Sequence, residues 1–398
     1  MPHISLALQN KGDVCACNAN KQSYQTDHNT IYTIEQSSIE TVWASATRKE
    51  LIDSLDNGQQ HPSCKKCWDL EKAGHRSPRQ DFNSQFTVKQ TESPSVLVIK
   101  PGNTCDGACR ICNPETSSGW YSDAYQLEKR KHKDLELPVF IQKFENLRNC
   151  FSPKNNNFWP VFKKWAGGLE FVDIYGGEPW LIKGLWNTLS DIAEQGHSKN
   201  IVLRLHTNLS NYNAKYLNIL DKFKKVYLNL SIDSHIKQEF EYQRYPLDFD
   251  RCISNAKKYC ELTKNLSNIE MRVTCTVSTF NVWNIDQIHR ELEKTLGIPV
   301  SVSNFVTDPD HYYDIRHLPK KIKQELILRL SEYQPTLPVA NFLKQTIPSC
   351  VIYWPKFVLT TEKLDAVRSQ SFHETFPEWS EKLKPYWDYK KPHQEWFR

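Results

Sequence analysis

From about residue 90 the chain alternates short β-branched apolar runs with longer stretches whose apolar positions recur at helical spacing. The short runs are Val96–Ile99, Leu169–Ile174, Ile201–Leu205, Val226–Ile232, Met271–Val277 and Val300–Phe305. The helical stretches are Ser122–Lys131, Trp180–Gln195, Asn213–Phe223, Asp250–Leu262 and Val282–Leu296. Strand and helix in regular alternation is the pattern of repeated βα units around a parallel sheet. In such sheets ligands meet the C-terminal ends of the strands, so polar and glycine residues just beyond each run are the candidates for chemistry. The interval Asn113–Gly168 is long for one crossover, and Cys150–Asn157, with its Pro and Asn run, predicts an inserted loop.

The flanks read differently. Residues 1 to about 90 are polar and loop-rich, carry paired cysteines and predict one helix, Ile39–Leu55, started by a Ser37/Ser38 cap. Having little apolar core of its own, that segment is expected to need a metal to fold. After Phe305 a turn at Thr307–His311 leads to a helix at Lys320–Tyr333. The tail beyond it is aromatic, and Tyr353, Trp354, Trp379, Tyr386, Trp387, Tyr389 and Trp396 are expected to cover the open side of the sheet. The expected units are 1–88, 89–310 and 311–398. The sequence shows no internal repeat and no low-complexity tract.

Length and charge narrow the picture a little. At 398 residues the chain is long for one small domain. Its 51 Lys and Arg against 46 Asp and Glu give a formal charge of +5, well short of a dedicated nucleic-acid binder. The densest basic run, Lys129–Lys133, closes a predicted helix, where cations suit the dipole and water. Apolar runs are far below the ~20 residues that span a bilayer. With 12 Cys and no basic-then-apolar leader, a soluble cytoplasmic protein is expected, one in which clustered thiols bind metal or do redox chemistry.

Three thiols fall within eight residues in Cys105-Asp-Gly-Ala-Cys109-Arg-Ile-Cys112, directly after the first strand and Gly102. Three thiolates on one loop can ligate three irons of a cubane and leave the fourth open for substrate, whereas closed electron-transfer clusters use four. A zinc site that borrows a fourth ligand from elsewhere stands beside that reading.

The Cys105-x3-Cys109-x2-Cys112 spacing resembles the signature of the radical S-adenosylmethionine (SAM) superfamily. Tyr175-Gly176-Gly177-Glu178-Pro179, after the second strand, resembles that family's GGEP motif. Thr207-Asn208, Ser231-Ile-Asp233 and Arg244-Tyr245-Pro246 follow in the same order. More narrowly, the run from Gly102 through Cys112-Asn113-Pro114 to Ser117-Ser118-Gly119-Trp120, with Asn304-Phe305-Val306 and Leu318-Pro319, looks like the twitch-domain radical SAM proteins, relatives of the SPASM enzymes that modify peptides and proteins.

The resemblance implies a partial (β/α)6 TIM-like barrel with a [4Fe-4S] cluster on Cys105, Cys109 and Cys112. SAM would then be held by Gly176, Gly177, Glu178 and Pro179, with Asn208 and Ser231 as further contacts. It implies cleavage of SAM to a 5′-deoxyadenosyl radical that takes hydrogen from a peptide or protein side chain, with flavodoxin or ferredoxin as electron donor. One departure is Ile111, which stands where an aromatic often precedes the last cluster cysteine.

Gly12-x2-Cys15-Ala-Cys17 and Cys64-Lys-Lys-Cys67 offer four thiols in two pairs, enough for one tetrahedral metal or one fully ligated cluster. The segment resembles the SPASM/twitch element, which implies that Cys15, Cys17, Cys64 and Cys67 hold an auxiliary Fe-S cluster, with structural zinc as the alternative. Here the element precedes the barrel instead of following it, and a leading Cys before Gly12 is absent. Two rival functions stand beside the peptide-modifying enzyme. One is an RNA-modifying radical SAM enzyme using Lys65 and Lys66 on phosphates, and the other is a non-catalytic zinc-stabilised binding module.

Overall fold

The structure, a computed structural model, describes residues 2–20, 22–26, 30–72, 76–86, 92–144, 147, 151, 158–307, 312–345, 350–388 and 396–397. All six expected strands form: β3 (Val96–Ile99), β4 (Phe171–Ile174), β5 (Val202–Thr207), β6 (Lys225–Ser231), β7 (Ile269–Val277) and β8 (Val300–Phe305). They lie side by side in chain order, each parallel to the next. Helices Lys183–Glu194, Ala214–Leu220, Phe249–Thr263 and Ile285–Leu296 fill the crossovers from β4 to β8. A doubly wound sheet reverses its strand order at a switch point, and this one does not. Right-handed crossovers that never reverse put their helices on one face, which is the build of a partial (β/α)6 barrel.

The two faces of the sheet differ. Val172, Leu203, Leu205, Val226, Leu228, Leu230, Val273 and Val277 are buried in the main core. On the other face Val98, Asp173, Arg204 and Tyr227 share one register row, and His206, Asn229 and Arg272 share the next toward the strand C-terminal ends. Parallel strands covered by apolar layers on both sides read as continuous apolar runs. The alternation Val-Leu-Arg-Leu-His-Thr in β5 therefore marks a polar inner face.

The N-terminal segment shares this sheet. Two more strands, β1 (Ser5–Leu8) and β2 (Val14–Cys15), extend it in the order β2-β1-β3, with β1 parallel to β3 and β2 antiparallel to β1. Leu6, Leu8, Val14, Ile39, Val42 and Leu51 belong to the same apolar core as the barrel, where the sequence predicts little core. Residues 1–88 draw their apolar partners from the barrel, which a reading of the segment alone cannot supply. The expected helix Ile39–Leu55 is two helices, Ile39–Trp43 and Ala46–Asp56, because the Ser45 side chain accepts the Arg48 N–H and caps a fresh start.

The tail adds helices that pack on the main core. Cys350–Arg368 and Pro377–Leu383 bury Trp354, Phe357 and Trp379, and Phe357 lies 5.6 Å from the Phe280 ring beyond β7. The Cys150–Asn157 and Thr307–His311 expectations fall outside the described residues, except at Phe151 and Thr307, as does Tyr389. Among the described residues no helix is long and apolar enough to cross a membrane.

Candidate active site

The loop that carries Cys105, Cys109 and Cys112 leaves the C-terminal end of β3 and is held from several sides. The Ser118 hydroxyl accepts the Cys105 N–H (3.1 Å) and donates to the Cys105 carbonyl (3.0 Å). Ala108 N–H donates to the Tyr245 carbonyl (2.6 Å) and Arg110 N–H to that of Gln243 (2.8 Å), so the Arg244-Tyr245-Pro246 stretch is stitched to the loop. Trp120 Nε1 donates to the Cys109 carbonyl (2.8 Å). From the distant tail, Arg368 donates to the Ala108 carbonyl (2.6 Å) and pairs with Asp123 (2.8 Å). Arg110, fully buried, reaches to Asp365 in the Cys350–Arg368 helix and to Gln370 just past it.

The thiols sense one another. The Cys112 thiol donates a hydrogen bond to Cys109, holding Cys109 down to about 7 against its burial, with help from the positive charges of Arg244 and Arg368. Cys112 is pushed far up by that same bond and by burial. Burial, Cys109 and Glu178 push Cys105 up to about 12. Metal must displace the protons these thiols retain for all three to ligate. Two buried arginines beside the loop suit the negative charge of such a complex. Among the described residues no three His, Cys, Asp or Glu converge as they would on a single ion. Thiolates that reach three different irons need no common point.

The Gly176-Gly177 turn after β4 lies directly on this loop. Gly177 has φ +59°, and a Cβ there would stand 2.5 Å from the Thr104 carbonyl oxygen; Gly176 has φ +93° beside Lys100. No side chain fits so close an approach in that conformation. Glu178 donates its N–H to the Thr104 carbonyl (2.8 Å). Its buried carboxylate accepts from the Thr207 hydroxyl (2.9 Å), Trp180 N–H (3.2 Å) and Asn208 N–H (2.6 Å). Burial raises it to about 7 while those bonds oppose the rise. Glu178 therefore ties the end of β4 to the end of β5, and Pro179 opens the short 3-10 turn Pro179–Leu181.

Asn208 completes the link, with Nδ2 2.9 Å from Asp106 Oδ1 and 3.8 Å from Cys105 Sγ. Ser231 ends β6 in register with Thr274 on the polar face. Asp233, two residues on, accepts from Thr276 N–H (2.8 Å) and pairs with Arg244 (2.8 Å).

Several groups here are not singled out by sequence. On the polar face Asp173 pairs with Arg204 (2.5 Å), with His206 Nε2 3.7 Å away. Against the penalty of its burial, the nearby His206 and the hydrogen-bonded Arg204 hold Asp173 below the usual carboxylate range. Lys100 extends over the Tyr175 ring and bonds Gln9. The readable signal was charge at alternate positions of β5. Arg110 and Arg368 gave none, because their partners are remote in the chain.

The second cysteine set divides. Cys17, Cys64 and Cys67 line one cavity of about 570 Å³ together with Trp68. Cys15 faces the other way, packed with Ala7, Val98 and Tyr175 and accepting a hydrogen bond from Gln9 (3.2 Å).

No protein-family model matches the chain, and no curated protein does. Solved structures match in part. Native anSMEcpe with bound AdoMet is 17% identical over 60% of this chain, with a TM-score of 0.40, and the match takes in 60% of anSMEcpe. Streptococcus suis SuiB bound to S-adenosylmethionine is 15% identical over 83% of this chain and 69% of its own, at a TM-score of 0.37. SuiB bound to the precursor peptide SuiA is 16% identical, covering 83% and 70%, at 0.35. At such identities and TM-scores nothing of those proteins' chemistry carries over, and the functional reading stands on the residues described above.

Proposed function

We propose that this chain is a radical SAM enzyme whose [4Fe-4S] cluster sits on Cys105, Cys109 and Cys112. The observation that carries the reading is the junction of the three-thiol loop with the Gly176-Gly177 turn at the C-terminal ends of β3 and β4, where a Cβ on Gly177 would strike Thr104. When bound, the cluster supplies the electron that splits the SAM sulfonium, and the resulting 5′-deoxyadenosyl radical takes a hydrogen atom from the substrate.

The chain's own residues bind and orient. Cys105, Cys109 and Cys112 supply three thiolates and leave an iron open to SAM. Gly176, Gly177, Glu178 and Pro179 form the turn that receives the methionine end, with Asn208 and Ser231 at the next strand ends. Arg244 and Arg368 offset the negative charge of the thiolates from buried positions. The substrate is a peptide or protein side chain, presented over the polar inner face near Asp173, Arg204 and His206. Flavodoxin or ferredoxin fits the electron donor, the enzyme works in the cytoplasm, and the N-terminal cysteines hold a second metal centre.

Anaerobic reconstitution followed by electron paramagnetic resonance tests the site. The reduced cluster should give a signal that shifts when SAM is added, and Cys109→Ala should lose it. A wild-type protein that takes up zinc without sulfide and gives no SAM-dependent shift would support the metal-stabilised binding module instead.

A further inference from the structure

The cavity lined by Cys17, Cys64 and Cys67 also takes in His3. His3 is held in one orientation, with Nε2 2.9 Å from Asp56 Oδ1. A carboxylate accepts, so Nε2 carries a proton, and in the neutral imidazole that ligates metal Nδ1 offers the lone pair. Nδ1 is buried and has no hydrogen-bond partner. Unpartnered buried nitrogens are rare and costly, whereas a metal-ligating imidazole commonly donates its other N–H to a carboxylate, as His3 does to Asp56. Cys17 and Cys67 are buried and Cys64 is half-buried, and the amides of Ala19 and Asn20 donate to the Cys17 sulfur. Cys15 packs with Ala7 and Val98, does not line that cavity, and has its thiol bonded to the Ala7 and Cys17 carbonyls (3.5 and 3.3 Å).

We propose that the second metal centre is an Fe-S cluster ligated by Cys17, Cys64, Cys67 and His3, with Cys15 not a ligand. This deepens the proposal of a second centre by fixing its ligands. A cluster is preferred to zinc because the four ligands ring a roomy cavity and do not close on one point among the described residues. One imidazole in place of a thiolate raises a cluster's potential, as it does in Rieske centres.

The test uses the full-length chain with Cys105, Cys109 and Cys112 all changed to Ala, so that failure of the first cluster's assignment cannot be mistaken for failure of this one. After anaerobic reconstitution the parent should hold iron and sulfide, and its reduced state should show nitrogen hyperfine coupling by pulsed electron paramagnetic resonance. Adding Cys15→Ala should leave both unchanged. His3→Cys should keep the iron, lose the nitrogen coupling and move the midpoint potential down. Zinc without sulfide in the parent, iron loss on Cys15→Ala, or nitrogen coupling that is absent from the parent or survives in His3→Cys would each overturn the assignment.

Discussion

Gly177 and Gly196 both hold a left-handed backbone, and their surroundings separate two roles. At Gly196 (φ +78°) an added Cβ meets nothing within 4 Å, so Gly196→Ala should cost only the conformational strain, about 1–2 kcal/mol. At Gly177 the same change also drives into backbone of the cysteine loop. Gly177→Ala is expected to lower the iron retained after reconstitution as well as the melting midpoint, while Gly196→Ala lowers the midpoint alone; iron analysis beside thermal melts separates them. Asp173 gives a pH-dependent case. Its folded-state pKa lies below its ordinary value, so its pairing stabilises the fold above that ordinary value and the benefit is lost as pH falls through the folded value. Asp173→Asn should cost about 1–3 kcal/mol at neutral pH, and urea midpoints of variant and parent should converge on acidification. Asp173 escaped the sequence reading because one carboxylate in an apolar run says nothing until β5 is laid beside it. Cys105, Cys109 and Cys112 were legible because their relation is local.

At the scale of elements, the six barrel strands were legible because β-branched runs bounded by polar turns need little context. β1, with the sequence Ser-Leu-Ala-Leu, lacks that signature and pairs with a strand some 90 residues on. The Cys350–Arg368 helix was also missed, since its aromatic residues are buried among several neighbours and Pro355 lies inside it. That helix is the clamp on the cysteine loop through Arg368 and Asp365. Arg368→Ala strands the buried Asp123 charge and frees the Ala108 carbonyl. It should destabilise the protein by about 3–5 kcal/mol and reduce cluster occupancy even though the residue lies far outside the loop in sequence. Urea unfolding and iron content of the reconstituted variant check this; full occupancy at unchanged stability would remove the clamp.

Over the whole molecule, one sheet carries the three-thiol loop and the first pair of the second cysteine set: β3 leads into the loop and β2 into Cys17. Residues 1–88 are therefore expected to behave as part of the barrel's structure. A chain cut to 89–398 bares the β3 edge and the apolar residues that pack on Leu6, Leu8 and Val42. Size-exclusion chromatography should find it aggregated, and a monodisperse folded fragment would contradict the shared core. The central claim, that this architecture generates a radical from SAM, is tested most directly by product analysis. Reduced, anaerobically reconstituted protein with SAM should release 5′-deoxyadenosine, and the Cys109→Ala variant should release none. A fully reconstituted wild type that yields no 5′-deoxyadenosine under any reductant would contradict the account.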